Sequence, residues 1–186
     1  MKKKSLALVL ALAMIVVCVV GGTLAWLTAT TPEVKNTFTT SDIDITLAET
    51  TGTSYQMIPG YTIAKDPKVT VLAGSEKCFL FVKVVKSTNF DTFMTYEMAD
   101  GWTQGDGTDI PSNVYYRVVD ASATNQEFGV LKDNQVTVSG DVTKGMLNAL
   151  TEATQPTLTF TAYACQYNSS NNTPFTAEAA WAKVGA

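Results

Sequence analysis

One stretch, residues 57–86, constrains the fold more than any other part of the chain. It begins with a turn at Pro59-Gly60, because proline presets φ for one turn position and glycine accepts a positive φ at the next. Residues 68–71 alternate polar and apolar side chains, which is the period of a half-buried strand. From 78 to 85 every residue except Lys83 is apolar, on both alternating faces. A strand of this kind lies inside a sheet and is covered on both sides near one end. The two strands therefore predict the core of an all-β domain.

The first 25 residues have the pattern of a secretory signal peptide. Three lysines follow the initiator methionine, and residues 6–20 form an unbroken apolar run. Thr23 and Ala25 then place small residues at the −3 and −1 positions of a cleavage site, so cleavage is predicted between Ala25 and Trp26. The apolar run of 15 residues is short for a membrane span, which needs about 20 residues. An uncleaved N-terminal anchor is the alternative interpretation.

Composition and charge narrow the possible partners. Removal of residues 1–25 leaves 161 of the 186 residues, a length that suits one domain with a sizeable core. The formal net charge falls from −4 to −7, because the removed segment carries three lysines and no acidic residue. Such a chain has no basic surface for nucleic acid and would be repelled by an anionic membrane. Contact with a membrane is therefore expected only before cleavage.

The mature chain reads as short strands separated by turns. Residues 42–47 alternate strictly, so Ile43, Ile45 and Leu47 are expected to face inward. Further strands are predicted at residues 95–98, 114–119, 128–131, 135–138 and 157–164. Two of these, 128–131 and 135–138, are expected to pair as a hairpin that turns at 132–134.

Two short helices complete the pattern. Asp141 is predicted to cap one that carries Val142 and Met146 on one face, and Thr176 to cap another that carries Ala180 and Trp181. The predicted fold is a two-sheet jelly-roll or immunoglobulin-like β-sandwich over residues 42–186, with two short helices. It is preceded by the signal peptide (1–25) and an N-terminal segment (26–41).

Two cysteines remain after processing. Cys78 shares a strand face with Leu80 and Val82, whereas Cys165 is out of phase with the apolar set that includes Phe160 and Ala162. The two thiols are therefore expected on different faces, although sequence spacing alone leaves a disulfide between them open.

Recognisable catalytic chemistry is missing from the sequence. The chain has no histidine, which removes the zinc-protease helix motif, the serine and cysteine triads and most transition-metal sites. No catalytic or cofactor-binding residue is predicted. The best metal candidates are Asp106 and Asp109, with Asp100 as a further ligand, for calcium. The alternative is a turn that uses Asp and Gly for their backbone preferences.

Three aromatic residues suggest a second type of site. Trp102, Tyr115 and Tyr116 could form a sugar-binding surface. Aromatic residues in a sheet more often form cross-strand pairs or belong to the core.

Several segments, in order, resemble the TasA/camelysin-like proteins that Gram-positive bacteria secrete through the dedicated signal peptidase SipW. The segments are GGTLAWLT (21–28), VKNTFTTSDIDITL (34–47), IPGYTIAKDPKVTV (58–71), CFLFVKV (78–84) and LTFTAYACQ (158–166). The resemblance implies a jelly-roll or immunoglobulin-like sandwich on the cell surface or in the biofilm matrix, where relatives assemble into fibres. It also implies a SipW-type peptidase and other matrix proteins as partners. The camelysin branch is described as metalloproteases, an activity that a chain without histidine cannot have in any usual zinc form.

The function predicted from these observations is that of a secreted structural protein, a subunit of an extracellular matrix fibre. After cleavage, the N-terminal segment would add as a strand to the sheet edge of a neighbour, through Trp26, Leu27, Val34 and Phe38. This head-to-tail contact does not close, so it would build a homopolymer. In the alternative arrangement the segment pairs within its own subunit, with Phe38 in its own core. The rival functions are a secreted camelysin-like protease or glycan-active enzyme, and a monomeric surface adhesin.

Overall fold

The computed structural model describes residues 42–52 and 54–185, which form a mostly β structure. The described residues contain three α-helices, α1 (Phe90–Phe93), α2 (Lys144–Asn148) and α3 (Ala177–Val184). They also contain ten strands: β1 (Ile45–Ala48), β2 (Thr62–Ala64), β3 (Lys68–Val71), β4 (Cys78–Lys86), β5 (Met94–Thr95), β6 (Thr103–Gln104), β7 (Val114–Val119), β8 (Gln126–Gly129), β9 (Gln135–Val138) and β10 (Leu158–Gln166).

The strands form three antiparallel sheets rather than the predicted two. Four strands in the order β10-β4-β7-β6 make the central sheet, and the other two sheets have the orders β1-β3-β8 and β2-β9-β5. β4 lies between two partners, with Phe81 opposite Tyr163 on one side and Tyr116 on the other. The prediction that this strand lies inside a sheet is confirmed.

The two faces of β4 support different layers. On one face Leu80 and Val82 are fully buried and pack against Val69 and Val71 of β3. On the other face Phe81 is fully buried and its ring centroid lies 5.3 Å from that of Trp181 in α3. Toward the end of the strand the second face opens, and Val85 is 45% exposed. The strand is thus covered on both sides near one end only, as its sequence predicts.

The first strand is shorter than predicted. β1 begins at Ile45, and Ile43 and Ile45 pack at the margin of the core. Leu47, which was expected to face inward, is 36% exposed. β1 is the outer strand of its sheet, and within residues 42–52 and 54–185 no strand pairs with its other side.

The predicted hairpin is wrong, although both of its strands form. β8 pairs with β3 in one sheet, whereas β9 pairs with β2 and β5 in another. Between them, Asp133 and Asn134 adopt positive φ values of 53° and 51° within a 3₁₀ turn. Leu131 and Val136 are buried on either side of this turn, in the cluster around Phe90. Burial of these side chains redirects the chain from one sheet to another.

The region before β5 is helical. Residues 95–98 were predicted as a strand, but β5 is limited to Met94–Thr95 and follows α1 directly. Phe90 and Phe93 are 0% and 6% exposed; their spacing of three places both rings on one face of a helical turn. This helix has only four residues, which are too few to show a helical period in the sequence.

One of the two predicted helix caps is confirmed. Thr176 caps α3, where its Oγ1 accepts a hydrogen bond of 3.3 Å from the backbone N–H of Ala179. The cap of α2 is Thr143 rather than Asp141, and its Oγ1 accepts from Met146 N–H at 3.3 Å. Val142, the residue after Asp141, is buried in the core. The helix begins after this residue, at Lys144.

The signal peptide and its cleavage site lie outside the described residues. Within residues 42–52 and 54–185, no helix has both the length and the apolar character required to cross a bilayer.

Candidate functional site

The outer strands of two sheets meet on one side of the molecule. β10 is the outer strand of the central sheet, and β1 is the outer strand of the sheet that faces it. The two strands lie against each other but are not paired by hydrogen bonds. Among the described residues, no strand pairs with the free side of either. We call this side the β1/β10 edge.

The hydrogen-bond pattern shows which main-chain groups of β10 point away from the sheet. Ser87 N–H donates to Thr157 O and Tyr167 N–H donates to Lys77 O, each at 3.0 Å. In the β10–β4 register these are hydrogen-bonded pairs, so every second residue of β10 bonds to β4. The alternate residues direct their N–H and C=O groups to the free side; they are Leu158, Phe160, Ala162, Ala164 and Gln166.

The same reasoning applies to β1. Leu72 N–H donates to Asp44 O at 2.9 Å, and the register continues this pattern into the strand. Ile45 and Leu47 therefore direct their main-chain groups to the free side of β1. Among residues 42–52 and 54–185, no strand pairs with these donors and acceptors, and an edge of this kind is the usual template for the addition of another strand.

Two adjoining cavities, which we call the β10 groove, open at the end of this edge where β10 begins, beside Leu158, Thr159 and Phe160. Their volumes are about 420 Å³ and about 260 Å³, and they share Lys65, Leu158 and Thr159. The larger cavity has an apolar floor made by Met57, Ile63, Phe90, Met94 and Val136. The smaller is bounded by Leu47, Ala48, Glu49, Pro67 and Phe160. The groove therefore combines an apolar floor with the free main-chain groups of a strand.

A largely buried ion pair lies at the junction of the two cavities. Lys65 Nζ lies 2.8 Å from Glu49 Oε1 and 2.9 Å from Oε2, and the two side chains are only 11% and 19% exposed. The ammonium group also lies over the rings of Tyr55 and Phe160, 5.3 and 5.7 Å from their centroids. A buried charge is tolerated when it is paired and hydrogen-bonded, as this one is.

Further hydrogen bonds hold the chain that borders the groove. Tyr55 donates from its hydroxyl to Glu49 Oε1 at 2.7 Å, and burial raises the pKa of this phenol. Asp66 Oδ1 accepts from the backbone N–H groups of Thr50 and Thr51 at 2.9 and 3.0 Å. The hydroxyl of Thr50 also donates to Asp66, and this hydrogen bond is the largest cause of the low pKa of that carboxyl. The residues that follow β1 are thus held in place by Lys65 and Asp66, which follow β2.

The groove has the features of a peptide-binding surface. Its charged groups, Lys65 and Glu49, neutralise each other, and the described part of the groove holds no thiol or histidine. What it offers is an apolar surface beside free N–H and C=O groups, the combination that recognises an extended peptide.

The predicted calcium ligands lie elsewhere and form a turn. Asp106 Oδ1 accepts from the backbone N–H groups of Thr108, Asp109 and Ile110 at 2.9, 3.1 and 3.1 Å. These bonds, with that from Thr108 the largest contribution, lower the pKa of Asp106. The turn interpretation is confirmed by this geometry. Within the described ranges, no group of three or more His, Cys, Asp or Glu side chains converges as metal ligands would.

The three candidate sugar-binding aromatics do not form one surface. Tyr115 and Trp102 pack against the core cluster between the facing sheets, whereas Tyr116 packs in the cluster beneath α3. Adjacent strand residues point to opposite faces, so Tyr115 and Tyr116 are on different sides of β7. The sugar-binding interpretation is therefore wrong for this set.

The cysteines are placed on opposite faces, as predicted. Cys78 lies opposite Gln166 in the register and Cys165 lies opposite Phe79, so the thiols occupy neighbouring positions on different faces of the sheet. Both are free and buried. Burial raises the pKa of Cys78 to about 11.

The residues predicted for assembly, namely Trp26, Leu27, Val34 and Phe38, lie outside the described residues. Sequence reasoning missed the Glu49–Lys65 pair and Tyr55, because an ion pair between residues 16 positions apart has no local signal. It also missed the free edge of β10, since strand order is not visible in the pattern of a single strand.

Comparison of the chain with protein-family models, with curated proteins and with solved structures found no match.

Proposed function

We propose that this protein is a secreted structural protein, a subunit of an extracellular matrix fibre that assembles by strand addition between copies. In this proposal the fold is a jelly-roll or immunoglobulin-like sandwich, and residues 1–25 are removed by a SipW-type signal peptidase. The observation that carries the proposal is the β1/β10 edge, where main-chain groups that no described strand pairs with border a groove containing several apolar side chains.

The proposed donor is the N-terminal segment, residues 26–41. Its apolar side chains, Leu27, Val34 and Phe38, are spaced among threonines and other polar residues. Main-chain hydrogen bonds to β10 would supply affinity, and insertion of alternate side chains into the groove would supply register. Such a contact joins unlike surfaces and does not close on itself, so it propagates as a filament.

The first experiment compares the mature chain, which starts at Trp26, with a chain that starts at Thr40. We expect the mature protein to form filaments visible by negative-stain microscopy and to scatter light at high concentration, and the shorter chain to remain monomeric. The proposal is wrong if the shorter chain is folded and forms filaments as readily.

A second experiment tests the acceptor strand with a matched pair of proline substitutions. Ala162→Pro removes an N–H that points to the free side of β10, whereas Thr161→Pro removes one that bonds to β4. We expect Thr161→Pro to lower the free energy of unfolding by about 2–4 kcal/mol and Ala162→Pro by about 1 kcal/mol.

Filament formation, unlike stability, should be affected more by Ala162→Pro than by Thr161→Pro. A folded Ala162→Pro protein is expected to lose filament formation, because its proline blocks the incoming strand. Filaments formed normally by that variant would exclude pairing along this part of β10.

A further inference from the structure

The chain contains a single arginine, Arg117, in an unusual position. It occupies an inward-facing site of β7, opposite Leu80, which is fully buried. Its guanidinium carbon lies 4.2 Å from the ring centroid of Phe128 and 5.4 Å from that of Trp102. Trp102 is fixed in turn, because its Nε1–H donates to Gly129 O at 2.9 Å. The guanidinium therefore lies in contact range of two aromatic rings.

This guanidinium lacks an anionic partner among the described residues. Arg117 Nε is buried and has no hydrogen-bond partner there. None of the ion pairs in this part of the chain includes Arg117. Two acidic side chains, Asp120 three residues further along the chain and Glu127 beside Phe128, have other partners: Glu127 pairs with Lys68 at 2.9 Å and Asp120 with Lys77 at 2.8 Å.

The backbone at Gly101 passes close to one end of the guanidinium. Gly101 has a positive φ of 84°, and a Cβ at this position would lie 3.1 Å from an Arg117 terminal nitrogen. Glycine here leaves the space beside that nitrogen without a side chain. Burial also lowers the pKa of Arg117, although an arginine side chain stays charged at neutral pH. A desolvated cation of this kind gains free energy when an anion reaches it.

From this geometry we infer that Arg117, held by Trp102 and Phe128, is a carboxylate-binding site. The flat guanidinium presents parallel N–H groups that match the two oxygens of a carboxylate. The carboxylate comes from a second copy of this chain, which carries 17 acidic against 13 basic residues and so presents them in excess. That source rests on the proposed function, whereas the carboxylate chemistry does not.

The first arm of the test uses a small carboxylate and the monomeric mature protein. Because the chain has one arginine, its Nε–H gives a single arginine side-chain signal in a ¹⁵N-labelled sample. We expect sodium acetate to shift this signal in a saturable way, and sodium chloride at the same ionic strength not to do so. Equal responses to the two salts would overturn the carboxylate site, whether or not the protein assembles.

The second arm measures the protein concentration at which light scattering begins. Arg117→Met keeps the apolar stem against the rings, and we expect it to raise this concentration roughly five- to tenfold. Lys132→Gln removes the same charge from an exposed ion pair with Glu97 and should change it less than about twofold. Equal effects of the two variants would indicate general charge and overturn a second copy as the source.

Near-UV circular dichroism establishes that each variant is folded. If Arg117→Met does not fold, Arg117→Lys takes its place, because lysine keeps the charge but lacks the planar pair of donors. We expect Arg117→Lys to raise the onset concentration as well. If it assembles like the unmodified chain, the planar carboxylate contact is wrong.

Discussion

The facing sheets end differently on their two sides. At the β1/β10 edge, the outer strands have main-chain groups that no described strand pairs with, and a groove opens between the two strands. On the opposite side, the β6/β8 edge, Trp102 donates a hydrogen bond to Gly129 and Arg117 stacks over Phe128. Side chains bridge the two outer strands at the second edge, whereas the first edge is bordered by the Glu49–Lys65 ion pair. Edge strands are a liability that proteins normally cover, and this difference is the reason that the proposed strand addition is placed at the β1/β10 edge.

The largest expected effect comes from opening the closed edge. Trp102→Ala removes a half-buried indole, its hydrogen bond to Gly129 and one of the rings on Arg117. We expect it to lower the free energy of unfolding by about 2–4 kcal/mol, measured by urea denaturation.

Trp102→Phe is the control, because it keeps a ring but not the indole N–H. It should cost about 1 kcal/mol, mostly from the unpaired Gly129 carbonyl. A loss below about 0.5 kcal/mol for Trp102→Ala would mean that the indole does not hold the β6/β8 edge together.

At the open edge, removal of one member of the ion pair should cost less. Lys65→Met removes the cation that pairs with Glu49, whose side chain is only 19% exposed. Glu49 then keeps the hydrogen bond from the Tyr55 hydroxyl. We expect a loss of about 1–3 kcal/mol in urea denaturation, because a largely buried carboxylate without its cation is unfavourable.

Lys68→Met is the matched control from the other side of the same sheet. Its partner is Glu127, and the two side chains are 46% and 58% exposed. An exposed pair contributes little, so the expected loss is under about 0.5 kcal/mol. Equal losses for the two lysine variants would contradict the different burial of the two pairs.

As the pH falls, the β1/β10 edge is expected to lose stability before the β6/β8 edge does. The folded-state pKa of Asp66 lies below its ordinary value, with the hydroxyl of Thr50 as the main cause. A lowered pKa contributes stability above the unfolded pKa, about 3.9, and this contribution is lost as pH falls below it. We expect Asp66→Asn to destabilise the protein at pH 6 and to have a diminishing effect toward pH 2.

The measurement is the free energy of unfolding at several pH values, together with backbone amide hydrogen exchange in β1 and β8. As pH falls below about 4, protection should decrease more in β1, next to the Asp66 contacts, than in β8. A constant difference between Asp66→Asn and the unmodified chain over this range would contradict the lowered pKa.

Several elements were predictable because their signals are local. The alternation of apolar residues in β4 and β10, and the threonine before α3, predict those elements with boundaries close to the observed ones. Both faces of β4 are apolar near Phe79 and Phe81, so its position inside a sheet could also be inferred.

Strand partnership was not predictable in the same way. A two-residue strand such as β5 has no period, and β8 and β9 follow each other as the strands of a hairpin would. Their separation into two sheets depends on the burial of Leu131 and Val136 against Phe90, a contact between residues distant in sequence. The candidate site has the same origin, because it exists only where β1 and β10 meet.

The smallest expected effect on stability, and the sharpest test of the open edge, is Leu47→Asp. Leu47 is 36% exposed and borders the smaller cavity, so replacing it should change the free energy of unfolding by no more than about 0.5 kcal/mol. Its main-chain groups point to the free side of β1, and its side chain lies where an incoming strand would pass. A carboxylate there would have to be desolvated by an apolar donor side chain such as Phe38, which is unfavourable. We therefore expect folded Leu47→Asp to need a higher concentration for filament formation, measured by light scattering.

Val118→Asp is the control for this prediction. Val118 is 44% exposed, lies on the outer face of the central sheet and is away from the groove. If both variants assemble like the unmodified chain, the donor strand does not pass Leu47.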